Sequence, residues 1–158
     1  MRLLKLVLCS VIAGVILIIS FYKIAASNNG LKSELTTVYG ILPVLIIIDT
    51  KQVFLDSLPG DTDAQGGSFG PIVALYNIGE AKDTLLHELA HVRQFYRYGL
   101  FLSTPLYFNS QRHRVKFEYE AYMAEENKLS DEEFISYMHD YYDISLTDKE
   151  IYSIIRNV

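Results

Sequence analysis

Two histidines one helical turn apart are the residues of this chain best suited to do chemistry. His87 and His91 lie in the stretch TLLHELAHVRQ, and Glu88 directly follows the first of them. The chain has only four histidines among its 158 residues. Because a helix repeats about every 3.6 residues, positions four apart face the same way. Both imidazoles are therefore predicted to reach one metal ion.

The order H-E-x-x-H is the pattern of a zinc site, so we predict one Zn²⁺ ion per chain. Two imidazoles and a third ligand leave one position of the ion to a water molecule, whose pKa falls to about 7. Glu88 projects about 100° round the helix from His87. It is therefore predicted to be the catalytic general base that takes a proton from the zinc-bound water. The alternative is a solvent-facing His/Glu pair on an amphipathic helix.

The third ligand has to come from another element, and the stretch KFEYEAYMAEEN, residues 116–127, offers several carboxylates. Glu118 and Glu120 lie about 200° apart round a helix, so both cannot face one ion. Spacing alone does not decide between them. His113 is a further candidate, which would make a site of three histidines.

The stretch HELAHVRQFYRYG followed by FEYEAY resembles the small, minigluzincin-like metallopeptidase domains of the gluzincin group. In that group a later glutamate helix carries the third zinc ligand, which several membrane-linked members have in an E-x-x-A-D stretch. The resemblance implies Glu118 as this ligand, with Glu120 as the alternative. Tyr122 stands where the pattern has an aspartate that orients the first histidine. A tyrosine hydroxyl, a backbone carbonyl or a carboxylate from Asp61 or Asp63 would have to replace it.

The resemblance also implies how a peptide or protein substrate binds. In gluzincins a strand beside the active helix takes up the substrate as an added β-strand. The equivalent strand here is IVALYN, which gives as substrate-binding residues Ile72, Val73, Ala74, Leu75 and Tyr76. Such enzymes commonly stabilise the oxyanion with a tyrosine or histidine. The sequence leaves that role open among His113, Tyr107, Tyr119 and Tyr122.

The order of elements predicts an α+β fold, a small zincin-like domain in which a short sheet precedes the helices. Residues 44–49 and 52–56 form a predicted hairpin, unless the first segment is a buried central strand. A loop is predicted over 57–71 and a third strand over 72–77. The H-E-x-x-H helix follows, then a turn around Pro105 and the glutamate helix over about 112–128. Capping boxes at Ser130 and Thr147 begin two C-terminal helices.

The N-terminal residues are the most apolar part of the chain. Arg2 and Lys5 precede an uncharged run, 6–21, of nearly the length that crosses a bilayer. We predict an uncleaved single-pass transmembrane helix over 6–22, with the remaining chain outside the cytoplasm. A cleaved signal peptide, which would give a secreted protein, and a buried core helix are the alternatives. The predicted organisation is an anchor or signal over 1–26, a linker and entry to the domain over 27–43, and the zincin-like domain over 44–158.

Composition narrows the classes of function. The formal net charge is −5, and without a basic stripe the chain is not predicted to bind nucleic acid. The single cysteine, Cys9, excludes a disulfide within the chain and a cysteine-based zinc site. The predicted function is zinc-dependent peptide-bond hydrolysis. The alternatives are a zinc-containing binding or inhibitory module without turnover, tethered to the membrane, and a structural protein without metal.

Overall fold

The computed structural model describes residues 2–48, 65–76, 82–99 and 102–158. The described part is α+β, as predicted, with a four-stranded sheet and helices before and after it. In chain order the elements are α1 (Arg2–Asn28), β1 (Lys32–Val38), β2 (Leu42–Ile48), β3 (Gly66–Phe69), β4 (Ile72–Leu75), α2 (Lys82–Tyr98), α3 (Ser103–Asn109), α4 (Gln111–Tyr122), α5 (Asp131–Tyr142) and α6 (Asp148–Ile155).

The sheet has the strand order β1-β2-β4-β3. β2 pairs antiparallel with β1 and parallel with β4, and β3 pairs antiparallel with β4. β2 is therefore a central strand, buried on both faces, as its continuous apolar run allows. Residues 52–56, the other strand of the predicted hairpin, lie outside the described residues.

The hairpin partner of β2 is β1, which lies inside the segment 27–43 that the sequence predicts as a linker. The two strands are joined by a tight turn in which Ile41 N donates to Val38 O over 3.3 Å. Tyr39 and Gly40 both have positive φ, 52° and 72°, as a type I′ hairpin turn requires. The dipeptide Tyr-Gly is a weaker sequence signal for this turn than Asn-Gly, and β1 was missed for that reason.

The α+β class stands, but the predicted N-terminal transmembrane helix over 6–22 is wrong. Within the described residues no helix combines the length and the apolar character that crossing a membrane requires. The C-terminal half of α1 instead packs on one face of the sheet. Ile19 and Ala26 are buried there against Leu45, Ile47 and Ile72. A uniformly apolar run fits either environment, because both a bilayer and a sheet face exclude water.

α2 covers the opposite face of the sheet and brings the H-E-x-x-H motif next to β3. Val92 packs there against side chains of β1, β2 and β4. β3 approaches α2 so closely that a Cβ on Gly66 would lie 2.7 Å from the Thr84 methyl group. Glycine is therefore needed at Gly66, and the sequence prediction of a loop over 57–71 missed this strand.

The remaining helices form a second core. Val115 of α4 packs there against α5 and α6 through Phe134, Met138 and Ile151. Both predicted capping boxes are present, at Ser130 with Glu133 and at Thr147 with Glu150. The predicted turn around Pro105 is instead helix α3, because proline is tolerated in the first turn of a helix. α4 ends at Tyr122 rather than near residue 128.

Candidate metal centre

Three side chains from two helices, α2 and α4, converge at one place. The Nε2 atoms of His87 and His91 are 3.1 Å apart. Glu118 of α4 places Oε2 at 3.3 Å from the first and Oε1 at 3.6 Å from the second. Ligand atoms at about 2.0–2.2 Å from a tetrahedral zinc ion lie about 3.3–3.6 Å from one another. The separations of the three donors are close to this spacing.

The outer nitrogens of both imidazoles are already bonded. His87 Nδ1 lies 2.8 Å from a carboxylate oxygen of Glu125, and His91 Nδ1 lies 2.9 Å from the amide oxygen of Gln94. Both oxygens only accept hydrogen bonds, so both Nδ1 atoms carry the proton. In the neutral imidazoles the two Nε2 lone pairs then face each other and Glu118. The two lone pairs and the Glu118 carboxylate then repel one another, unless a positive charge lies between them.

Glu118 is the most buried of the three groups, with 1% of its surface exposed. Two tyrosines hold its carboxylate. Tyr107 of α3 donates to Oε1 over 2.5 Å, and Tyr142 of α5 donates to Oε2 over 2.9 Å. Neither tyrosine supplies a full positive charge. A buried carboxylate needs such a charge beside it, which the two imidazoles in their protonated form or a metal ion can supply.

The pKa shifts of the three side chains also indicate that the site favours a positive charge. Burial disfavours a charged His87, but hydrogen bonds to Glu118 and Glu125 outweigh it and raise the pKa of His87 to about 10. Burial also opposes a charged His91, yet the Glu118 carboxylate raises its pKa. Burial would raise the pKa of Glu118, but His91 and the bonds from both imidazoles hold it well below its usual value. The site therefore attracts positive charge, which protons or a divalent ion can supply.

Glu125 takes the place of the aspartate that the gluzincin pattern leads one to expect at Tyr122. Its carboxylate is the acceptor for His87 Nδ1. The turn that carries Glu125 is fixed to the start of α2, because Asp83 accepts hydrogen bonds from Glu126 N and from the Asn127 amide. Glu125 was not among the predicted site residues, and no local spacing marks it, because α4 ends at Tyr122 and Glu125 lies in the turn that follows.

The other candidates from the sequence have different neighbours. Glu120, the alternative ligand, accepts hydrogen bonds from Gln94 and Arg97. His113 bonds through Nδ1 to Ser110 at the start of α4, and Tyr119 donates to Asp131. None of these three belongs to the group of side chains within the described residues that could hold a metal ion. Asp61 and Asp63 lie outside the described residues.

Tyr122 lies at the site without bonding to either imidazole nitrogen. Its ring meets that of His87 edge to face, with centroids 4.7 Å apart. Burial, and then its bond to Tyr137, raise the pKa of Tyr122. The tyrosine thus packs against the side of His87, while Glu125 provides the polar contact.

His87, His91 and Glu118 line a cleft of about 790 Å³, a size typical of small-ligand and substrate sites. Glu88 lines this cleft and is 7% exposed. β3 forms one side of the cleft and the aromatic residues of α3 and α5 form another, with contributions from Phe69, Tyr107, Phe108, Tyr141 and Tyr142.

The predicted substrate-binding strand, Ile72–Tyr76, is not the edge of the sheet, and this prediction needs correction. β4 pairs with β2 on one side and β3 on the other, so its backbone groups are already bonded within the sheet. Within the described residues, β3 is the strand that has a free side next to His87, His91 and Glu118. A substrate that adds a strand would therefore pair with β3.

Comparisons with known proteins found no match. No protein-family model, no curated protein and no solved structure matches the chain.

Proposed function

We propose that this chain is a zinc metallopeptidase that hydrolyses peptide bonds. One observation carries the proposal. Two imidazole Nε2 atoms and the Glu118 carboxylate have the mutual spacing of ligands on one tetrahedral ion, and Glu88 lines the same cleft. The resemblance of HELAHVRQ and EYEAY to gluzincin sequences supports the same function.

His87, His91 and Glu118 would hold the zinc ion. When bound, zinc supplies a Lewis acid that polarises a carbonyl and lowers the pKa of water to about 7. Glu88 follows His87 directly, about 100° round α2, so it can reach the reacting groups without occupying a ligand position. Its carboxylate accepts the proton of the attacking water and then delivers it to the leaving amine. Tyr107 and Tyr142 hold Glu118 in place through their hydroxyl groups.

We propose that the substrate backbone pairs with β3. Tyr76 N donates to Gln65 O over 3.0 Å, so these two residues form a hydrogen-bonded pair. Such pairs alternate along an antiparallel ladder. The backbone groups of Gly66 and Ser68 therefore point away from β4, towards the side on which a peptide strand can add.

Replacing Ser68 by proline removes an outward-pointing N–H and leaves the bonds between β3 and β4 intact. We expect kcat/KM for peptide hydrolysis to fall about 3- to 10-fold, mainly through KM, because one substrate hydrogen bond is lost. Steady-state kinetics would measure this. Ser68→Ala keeps the N–H and serves as the control. Equal kcat/KM for the two variants would exclude strand addition at Ser68.

Replacing Glu125 by glutamine removes the negative charge that orients His87. We expect the zinc affinity to fall about 10- to 100-fold, the usual effect of losing the partner of a ligating histidine. A competition titration with a zinc-binding dye measures the dissociation constant. Glu126→Gln is the matched control, because Glu126 is the exposed neighbour that pairs with Lys82. Equal affinities of the two variants would show that Glu125 does not orient the ligand.

The proposed activity is tested with the purified full chain and a mixed peptide library. We expect hydrolysis that stops when a chelator removes the metal and returns when zinc is added. A chain that binds zinc without cleaving any peptide would support the alternative, a zinc-containing module without turnover. Tyr122 in place of the orienting aspartate favours that alternative, and the contact of Glu125 with His87 Nδ1 weakens it.

A further inference from the structure

The side chain of Gln94 connects the histidine helix to the glutamate helix. It is 3% exposed, and its amide makes three hydrogen bonds. The amide oxygen lies 2.9 Å from His91 Nδ1, while the amide nitrogen donates to Phe117 O over 2.8 Å and to Glu120 Oε2 over 3.1 Å. Gln94 therefore contacts a zinc ligand on α2 and the backbone directly before the zinc ligand on α4.

The neighbours of Gln94 determine which way its amide points. The carbonyl of Phe117 and the carboxylate of Glu120 can only accept hydrogen bonds, so the NH₂ group has to face them. The amide oxygen then faces His91, whose Nδ1 must carry a hydrogen in order to donate to it. The lone pair of His91 is left on Nε2, the atom that faces Glu118.

Glu120 completes this arrangement. One of its carboxylate oxygens accepts from Gln94, and the other lies 3.4 Å from Arg97 Nη1. Arg97 does not compete with Gln94 for an acceptor, because Arg97 contacts the other carboxylate oxygen of Glu120. The residue that the sequence offered as an alternative zinc ligand thus holds the amide that orients His91.

We infer that Gln94 is a positioning residue for the metal centre, and this inference rests on the proposed function. It fixes the Nδ1–H form of His91 with a neutral acceptor, whereas a carboxylate does so for His87. Through Phe117 O it also fixes α4 against α2, and so sets the distance between Glu118 and His91. One amide thereby positions two of the three ligands.

The first test is Gln94→Met, which keeps the length of the side chain and removes all three hydrogen bonds. We expect the zinc dissociation constant of the full chain to rise about 10- to 100-fold. Gln111→Met is the control, because Gln111 is a surface amide whose partner is Ser145. An affinity of Gln94→Met within threefold of the wild type would overturn the inference.

A swap of donor and acceptor keeps the inference testable if Gln94→Met fails to fold. Gln94→Glu places a carboxylate against Glu120, and zinc binding should weaken about 10-fold or more. Adding Glu120→Gln supplies an amide donor to that carboxylate. The double variant should recover at least half of the lost zinc affinity, measured as the logarithm of the dissociation constant. A merely structural role predicts no such recovery, so a double variant as weak as Gln94→Glu would overturn the inference.

The two proposals fail in different ways. A wild-type chain that binds no zinc would remove the proposed function and this inference with it. A wild-type chain that binds zinc, together with a Gln94→Met variant that binds it equally well, would remove only the role of Gln94.

Discussion

Replacing Glu88 by glutamine is expected to lower kcat for peptide hydrolysis about 10²- to 10⁴-fold while zinc stays bound. The amide has the size of the carboxylate but cannot accept the proton of the attacking water. General acid–base catalysis is worth about that factor. Glu88 donates no atom to the metal-binding cluster, so the zinc affinity should change little. Kinetics and metal analysis of the same preparation measure the two quantities.

Glu34→Gln is the control for this variant, because Glu34 is an exposed carboxylate on β1, a strand that is not part of the cleft. It should keep wild-type activity. If Glu88→Gln retains activity within about tenfold of the wild type, Glu88 is not the general base. If the variant loses its zinc, Glu88 supports the metal site instead.

Replacing Glu118 by glutamine should weaken zinc binding by more than about 100-fold, beyond the usual cost of changing the partner of a ligand. The amide is neutral, so the positive charge held between His87 and His91 loses its counterion. The amide nitrogen also cannot accept a hydrogen bond, so either Tyr107 or Tyr142 is left facing a donor. Isothermal titration of the metal-free protein with zinc measures the loss.

Glu120→Gln is the matched control, because Glu120 lies on the same helix and was the alternative ligand. The new amide oxygen still accepts from Gln94, so zinc affinity should stay within about fivefold of the wild type. If Glu120→Gln bound zinc more weakly than Glu118→Gln, the third ligand would be Glu120, and the choice of Glu118 would be wrong.

Local periodicity explains what could be predicted of this fold. The apolar stripe of α2 and the spacing of His87 and His91 are properties of one helix, so the sequence alone places both imidazoles on one face. Both capping boxes likewise depend on residues three apart. The choice of Glu118 over Glu120 came from resemblance, because two positions on one helix do not reveal which side faces another helix.

Contacts between distant segments explain what was missed. Tyr142 reaches Glu118 from 24 positions away, and Glu125 reaches His87 from 38. No local pattern marks such pairs. β3 has the sequence GGSF, which lacks the β-branched residues that usually indicate a strand. It forms because β4 offers a free side and glycine allows close approach to α2.

The prediction of a transmembrane helix at α1 failed for a different reason. Its apolar run satisfies the composition of a transmembrane helix, and the prediction failed because hydropathy does not distinguish lipid from protein as the apolar surroundings. Ile19 and Ala26 pack on the sheet against β2. That β2 is apolar on both faces was the sequence signal for a second covering layer.

The number of zinc ions bound per chain tests the central claim most directly. The full-length wild-type protein, equilibrated with zinc and freed of excess metal, should retain one ion per chain by mass spectrometry of the metal. A variant that carries both His87→Ala and His91→Ala should retain none. A wild-type chain without zinc, or a double variant with as much zinc as the wild type, would contradict the metal centre and the hydrolysis built on it.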